Sequence, residues 1–415
     1  LRSNLEFRYN NSEFLQKFIP QVRFTDVEWE FTNAEGHKLC FRGFGASPLT
    51  LDTKIPLPNG SFTTMKDIQI GDYVLGGNGK PTKVEVKSEV FNRPVYEIKL
   101  LDGRTLKVSD NHLNTVIHKC RNYSKYKDSL YRYENKVLAT KELLEIPLRI
   151  TGKQEYALFI PVSKPIEYSK KDLPIDPYTL GLLLGDGQLK NDGSCNITAE
   201  QNDMDFYASV IPHTQGSRYA DKRYNHVHNL SLKGLSNAVK DLGLRGVHTY
   251  YKFIPEIYKR SEKEQRLELL KGLMDADGTV DPKNKVSKCT FVSTSEQLAK
   301  DVVELVHTLG GYCNITKNKQ NKNSLGHADY YRVTLHLNEK MFKLPRKANK
   351  QKVVEGYHKN TKIAITAITR VSDEPTQCIG VDNEDHLFLA GDYVVTHNTG
   401  VRGFKKYGER PQFAI

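Results

Sequence analysis

The chain has 415 residues, with 61 basic against 49 acidic side chains and a formal net charge of +12. That length suggests roughly two to four domains, and the charge points to an anionic partner, most simply nucleic acid. No run of 18 apolar residues and no signal peptide is visible, which argues against a membrane-spanning helix. Six cysteines (Cys40, Cys120, Cys195, Cys289, Cys313 and Cys378) form no CxxC pair, which disfavours a zinc site and suits a reducing compartment. The chain opens on Leu1 rather than Met and reads as a fragment.

Residues 1–47 make a first flank. Residues 48–165 read as short strands punctuated by turns at Pro58-Asn-Gly-Ser61, Gly71-Asp72, Gly76-Gly-Asn-Gly79 and Asp102-Gly103. A helical run, Leu180-Gly-Leu-Leu-Leu-Gly-Asp-Gly187, is followed by a strand at Cys195-Asn-Ile-Thr198 and a basic, aromatic stretch from Arg218 to His228. A second helical run, Leu270-Lys-Gly-Leu-Met-Asp-Ala-Asp-Gly278, is followed by a strand at Cys289–Ser293. Helical spacing from Ser295 to Leu309 closes at Gly310-Gly311. Strands at 312–316 and 330–337 flank the basic segment Lys317-Asn-Lys-Gln-Asn-Lys322. Residues 362–398 return to strands, and 399–415 form a second flank.

The two helical runs are near-duplicates 91 residues apart. Each has small residues four apart, Gly181 and Gly185 in one, Gly272 and Ala276 in the other, which fall on one helix face. Two such faces pack closely and bring Asp186 and Asp277 together at the helix ends. Paired carboxylates suit a hard divalent cation such as Mg²⁺. The plain alternative is two core helices that happen to end in Asp-Gly, and the matching contexts weigh against it.

These motifs resemble the paired motifs of LAGLIDADG homing endonucleases, over about 166–345. The resemblance implies an α+β domain of two pseudo-symmetric αββαββα halves. It also implies a monomer that cuts double-stranded DNA with Mg²⁺, through Asp186 and Asp277. Basic residues among aromatics on strands suit a DNA-facing sheet: Arg218, Lys222, Arg223, Lys317, Lys319, Lys322 and Arg332. The alternative is a solvated hairpin.

The flanking β segments resemble inteins. Leu51-Asp-Thr-Lys-Ile55 with Gly71-Asp-Tyr-Val74, Val108-Ser-Asp-Asn-His112, Val381–Phe388 and Val394-Val-Thr-His-Asn-Thr399 match their blocks. The implied fold is an all-β, horseshoe-like Hint splicing domain in two parts, 48–165 and 346–398. An Asn amide can attack its own backbone carbonyl and cleave the chain as a succinimide, a neighbouring His can protonate the leaving nitrogen, and a following hydroxyl can take up an acyl group. The resemblance gives these roles to Asn398, His397 and Thr399, and gives His112 the upstream scissile amide. Splicing needs no cofactor.

By block spacing the first residue of this segment is Pro48, after Ser47, and proline has no nucleophile. Cys378 stands where inteins commonly carry Asp. With Thr399 after the terminal Asn, this resembles class 3 inteins, in which the internal Cys attacks the upstream junction directly. That class usually has Trp two residues after His112; Asn114 is there instead, and the one Trp is Trp29.

Joined across the insert, Phe41–Ser47 and Thr399–Ile415 resemble the ATPase domain of phage terminase large subunits. The expected setting is a phage-encoded precursor in bacterial cytoplasm, with double-stranded DNA as partner and no membrane. Two alternatives stay open: an endonuclease in a splicing-defective shell, and a non-cutting, maturase-like DNA or RNA binder.

Overall fold

The computed structural model describes residues 9–19, 21–24, 28–32, 38–42, 47–121, 131–150, 152–220, 226–319, 329–354 and 360–398. Thr399, Lys222, Arg223 and Lys322 lie outside the described residues. Among the described residues no helix is long and apolar enough to cross a membrane.

The two outer β segments fold together. Seven antiparallel strands run in the order Tyr131–Ala139, Leu113–Arg121, Leu158–Pro161, Lys362–Gln377, Leu49–Thr50, Thr105–Ser109 and Phe91–Leu100. The sixteen-residue strand Lys362–Gln377 also pairs with Phe91–Leu100, with register shifts at Ile365/Ala367 and Arg370/Asp373. Such irregularities bend a strand and let one long strand serve two parts of a sheet. Buried residues on these strands, among them Leu49, Ile98, Val108, Ile365 and Phe388, share one core. A closing hairpin pairs Leu387–Ala390 with Val394–His397. This is the expected all-β, Hint-type shell, built from residues far apart in the chain.

The insert has its own core, running from Ile175 to Leu344. Its first half is helix Pro177–Leu184, strands Gly187–Leu189 and Cys195–Glu200, helix Gln201–Val210, strands Gln215–Ala220 and Val227–Leu232, and helix Ser236–Asp241. Its second half is helix Lys263–Asp277, strands Gly278–Asp281 and Lys288–Ser293, helix Glu296–Thr308, strands Tyr312–Asn318 and Tyr330–His336, and helix Pro345–Ala348. Both halves are αββαββα, each with a four-stranded antiparallel sheet. Packing within the insert continues past residue 345: Gln351 donates to the Glu339 carbonyl and Lys352 to the Pro282 carbonyl.

The two pseudo-equivalent helices touch through their backbones. A Cβ on Gly272 would lie 2.2 Å from the Tyr178 carbonyl oxygen, and one on Gly181 would lie 2.4 Å from that of Leu269. Neither backbone can yield without moving a helix. Gly272→Ala is therefore expected to destabilise the insert by roughly 1–3 kcal/mol, as overpacking does. Thermal unfolding checks this, and an unchanged melting temperature would show that the helices can part at little cost.

Shell and insert are bonded to each other. Arg266 of the insert, fully buried, donates to the carbonyl of Thr308 in the insert and to that of Ile166, whose side chain packs in the core of the shell. Glu304 of the insert pairs with Arg260 at 2.6 Å and accepts from the Tyr393 hydroxyl of the shell at 3.3 Å. Tyr393 holds a left-handed φ of 61°, uncommon for a residue with a side chain. Arg104 donates to the carbonyls of Asp392 and Tyr393, holding that turn from the other side.

Candidate functional site

Two groups of the expected residues assemble, one in the shell and one in the insert. In the shell, the short strand Leu49–Thr50 lies between two others. Its register with Lys362–Gln377 sets Gln377 opposite Leu49, and Cys378 follows directly, where the chain turns to bond Ser88. On its other side, Ser109 N–H donates to the Pro48 carbonyl at 3.1 Å. The turn after Ser109 brings in His112, which is fully buried. Its Nε2 is 2.7 Å from Thr396 Oγ1. Burial pushes the His112 pKa down to about 3, with the backbone of Ser47 and Pro48 opposing the shift and His397 adding to it. The imidazole is therefore neutral at physiological pH, and it acts toward the junction as a hydrogen-bonding group rather than a standing acid.

The far end of the segment arrives at the same place. Asn398, fully buried, receives the Ser47 hydroxyl on its carbonyl oxygen at 3.3 Å, across 351 positions of chain. The same oxygen is 2.5 Å from His397 Nδ1. The Asn398 amide Nδ2 donates to the Val381 carbonyl at 3.3 Å, and its backbone N–H donates to the His386 carbonyl. Ser47, Pro48, His112, His397 and Asn398 thus meet in one buried region, and Cys378 is one residue beyond Gln377, which pairs with Leu49. Cys378 is 1 % exposed, and its N–H donates to Ser88 Oγ at 3.0 Å.

Sequence reading missed Thr396 and Ser88, single hydroxyl residues on strands with no spacing to mark them. It also gave Asn114 no role. The Asn114 amide donates to the His112 carbonyl at 2.9 Å and to Thr140 Oγ1 at 3.1 Å. Where the class 3 pattern has an aromatic ring, this chain fixes the His112 turn with a polar side chain.

In the insert, Asp277 ends the second helix, whereas the first helix stops at Leu184 and Asp186 lies just beyond it. Gly185 abuts Ala276, and a Cβ there would be 3.3 Å from Asp277 Oδ2. Both carboxylates line a cleft of about 470 Å³, with Gln188, Thr198, Lys252 and Ser293 around it. Both pKa values are raised by desolvation in the cleft, and Asp277 also by the neighbouring Asp186. Asp275, by contrast, is structural: its carboxylate accepts from Tyr178 and from the N–H groups of Lys343 and Leu344.

Two lysines absent from the expected set flank the pair. Lys252 Nζ donates to the carbonyls of Leu183, Gly185 and Gly187. Lys347 Nζ donates to those of Met274, Asp275, Ala276 and Gly278. They serve matching places in the two halves, satisfying carbonyls that a helix end leaves bare and bringing positive charge beside the carboxylates. Burial pushes Lys252 down to about 8 and also lowers Lys347.

The expected DNA-facing residues divide. Arg218 lies opposite Leu230, a core residue, and its guanidinium meets Asp205 and the Gln201 carbonyl. Lys317 lies opposite Tyr331, whose hydroxyl bonds Glu296 on the packing helix. Directly opposed residues share a face. Both side chains therefore share a sheet face with helix-packed residues, while remaining exposed themselves. Arg332, opposite Thr316, lies on the open side and is exposed. Lys319 is exposed just past its strand.

Residues 264–340 match the LAGLIDADG-like domain family. The chain is similar to the replicative DNA helicase DnaB of Mycobacterium intracellulare: 30% identical over 362 residues, covering 85% of this chain and 58% of that protein. It is also similar to that of Mycobacterium leprae (strain TN), 40% identical over 65 residues, covering 15% and 11%. The chain thus spans less than two thirds of the length of these relatives. Among solved structures, the MchDnaB-1 intein is 14% identical at a TM-score of 0.25, covering 84% of this chain and 99% of that one. The N-terminal LAGLIDADG domain of DUF199/WhiA is 7% identical at a TM-score of 0.26, covering 39% and 74%. TM-scores this low carry no argument alone. Because the curated relatives are helicases, the expectation of a phage terminase host is not supported.

Proposed function

We propose that this chain excises residues 48–398 from its precursor, joins the flanks, and cuts double-stranded DNA with its insert. A Hint-type shell with a LAGLIDADG-type insert is the organisation of an intein that carries an endonuclease. The observation that supports the splicing reading is the buried hydrogen bond from the Ser47 hydroxyl to the Asn398 carbonyl, which brings the two ends of the segment together.

The Cys378 sulfur attacks the Ser47 carbonyl carbon, a C–S bond forms, and the bond to the Pro48 nitrogen breaks. The thiol proton ends on that nitrogen, and neutral His112, held by Thr396, is placed to pass it. The Thr399 hydroxyl then displaces the thiol and takes the acyl group as an ester. Asn398 Nδ2 attacks its own carbonyl, forming a succinimide and releasing the Thr399 amine. That amine takes the acyl group from its own oxygen, leaving a peptide bond between Ser47 and Thr399. Thr399→Ala is expected to abolish ligation while Asn398-dependent release continues, and Asn398→Ala to stop that release. Denaturing gels with intact-mass spectrometry read both, and joined flanks from Thr399→Ala would remove that residue from the mechanism.

For DNA cutting, the residues present fit a divalent cation. Among the described residues no cluster of three or more His, Cys, Asp or Glu side chains suits a metal. The set here is therefore two crowded carboxylates in an open polar cleft, which suits Mg²⁺, a cation that keeps several waters. Asp186 and Asp277 would hold it, and bound there it activates water and offsets charge on the phosphodiester. A single chain supplies both halves and acts as a monomer. Ionised carboxylates bind the cation, so protons compete with it. With both carboxylates pushed up by burial and Asp277 also by Asp186, cutting is expected to fall as the pH is lowered and to be recovered by added Mg²⁺. A plasmid assay across pH tests this, and a flat profile into the acid range would overturn it.

A further inference from the structure

We propose that Ser47, the last residue of the upstream flank, is an oxyanion donor for cleavage at the opposite junction. This rests on the splicing reading above. Two donors converge on the Asn398 carbonyl oxygen: His397 Nδ1 at 2.5 Å and the Ser47 hydroxyl at 3.3 Å. All three residues are buried, Ser47 at 2 % exposure, His397 at 4 % and Asn398 at 0 %. While the Ser47–Pro48 bond is intact, as in the test below, Ser47 does not depend on a loose flank for its position. The next residue, Pro48, is anchored by Ser109, and Leu49 is paired on both sides.

When Asn398 Nδ2 attacks the Asn398 carbonyl carbon, a C–N bond forms and the carbonyl oxygen takes negative charge. The charge then collapses back, the bond to the Thr399 nitrogen breaks, and that nitrogen leaves as an amine with the proton lost by Nδ2. A hydroxyl aimed at the oxygen, in a buried site, stabilises the charge as it develops. The hydroxyl belongs to the flank and not to the excised segment. In the branched ester its residue is carried on Thr399, next to the same carbonyl. If the upstream flank is lost to hydrolysis, the donor leaves with it and the downstream cut slows. The flank thus licenses the step that would otherwise release the downstream half unjoined.

The test uses the full chain in a Cys378→Ala background, where upstream attack is blocked and release at Asn398 is read alone by gel and intact mass. Ser47→Ala should slow this release roughly 100- to 1,000-fold, the scale of losing one oxyanion donor. Ser47→Thr, which keeps a hydroxyl, should stay within a few-fold of the parent. Equal release from the Ser and Ala versions would overturn the proposal, as would equal slowing by Ala and Thr, which would mark a packing effect. Asn398→Ala in the same background separates the two readings. If release persists there, asparagine cyclisation itself is wrong; if it stops, only the donor role is under test.

Discussion

Cys378→Ala is expected to lose upstream cleavage, branched ester and joined flanks together, by roughly 10⁴-fold or more, as removal of a nucleophile does. The reason is positional as well as chemical. Gln377 pairs with Leu49, so Cys378 lies a short way along the chain from the partner of the residue after Pro48, while Pro48 offers no side chain that could attack in its place. Pro48→Ala should therefore splice far better than Cys378→Ala. Release at Asn398 should persist in Cys378→Ala, since that step needs only the Asn amide and its donors. Intact masses distinguish these products, and joined flanks from Cys378→Ala would end the direct-attack reading.

Asp277→Asn is expected to abolish double-strand cutting, by roughly 10³-fold, while DNA binding stays near that of the parent. The substitution removes a charged cation ligand yet leaves the open sheet faces unchanged. Asp186→Asn should match it, because the two halves bring equivalent carboxylates to one cleft. Binding should weaken steeply with salt in the parent and both variants, as phosphate contacts dictate. A plasmid carrying the uninterrupted host junction, incubated with Mg²⁺, reads cutting, and gel shift reads binding. Undiminished cutting by Asp277→Asn would discard the assignment, whereas a parent that binds without cutting would favour the maturase-like alternative.

The features legible in the sequence were those in which local pattern and tertiary role coincide. Gly181 and Gly272 announce a close helix pair because only a backbone contact asks for small residues at that spacing, and the structure places those helices against each other. His397 and Asn398 are adjacent in sequence, so their chemistry is local. The lysines were not legible. Lys252 and Lys347 do the same work in the two halves, but one caps the end of a 3₁₀ turn and the other sits in a four-residue helix. Arg218 and Lys317 show a different limit. Alternating basic and aromatic residues identify a strand, but which face meets the helix depends on cross-strand partners such as Leu230. Asn114 was read against an aromatic pattern, whereas its hydrogen bonds to the His112 carbonyl and Thr140 solve the same positioning problem by other means.

The bonds that tie Tyr393 to Glu304 and Arg260, and Arg266 to the Ile166 carbonyl, bear on how such a chain ages under mutation. Tyr393 directly precedes the strand Val394–His397, which carries Thr396 and His397. If the segment splices as proposed, damage to Glu304 would reach the strand that carries Thr396 and His397, and selection on the host would remove it. Damage to Asp186 or Asp277 reaches only the cleft and goes unseen by the host. Inheritance accordingly protects the insert's frame more strongly than its cutting residues. Descendants of this chain should retain a folded insert long after its carboxylates have drifted, and a clean deletion of the insert must come with compensating changes around Tyr393.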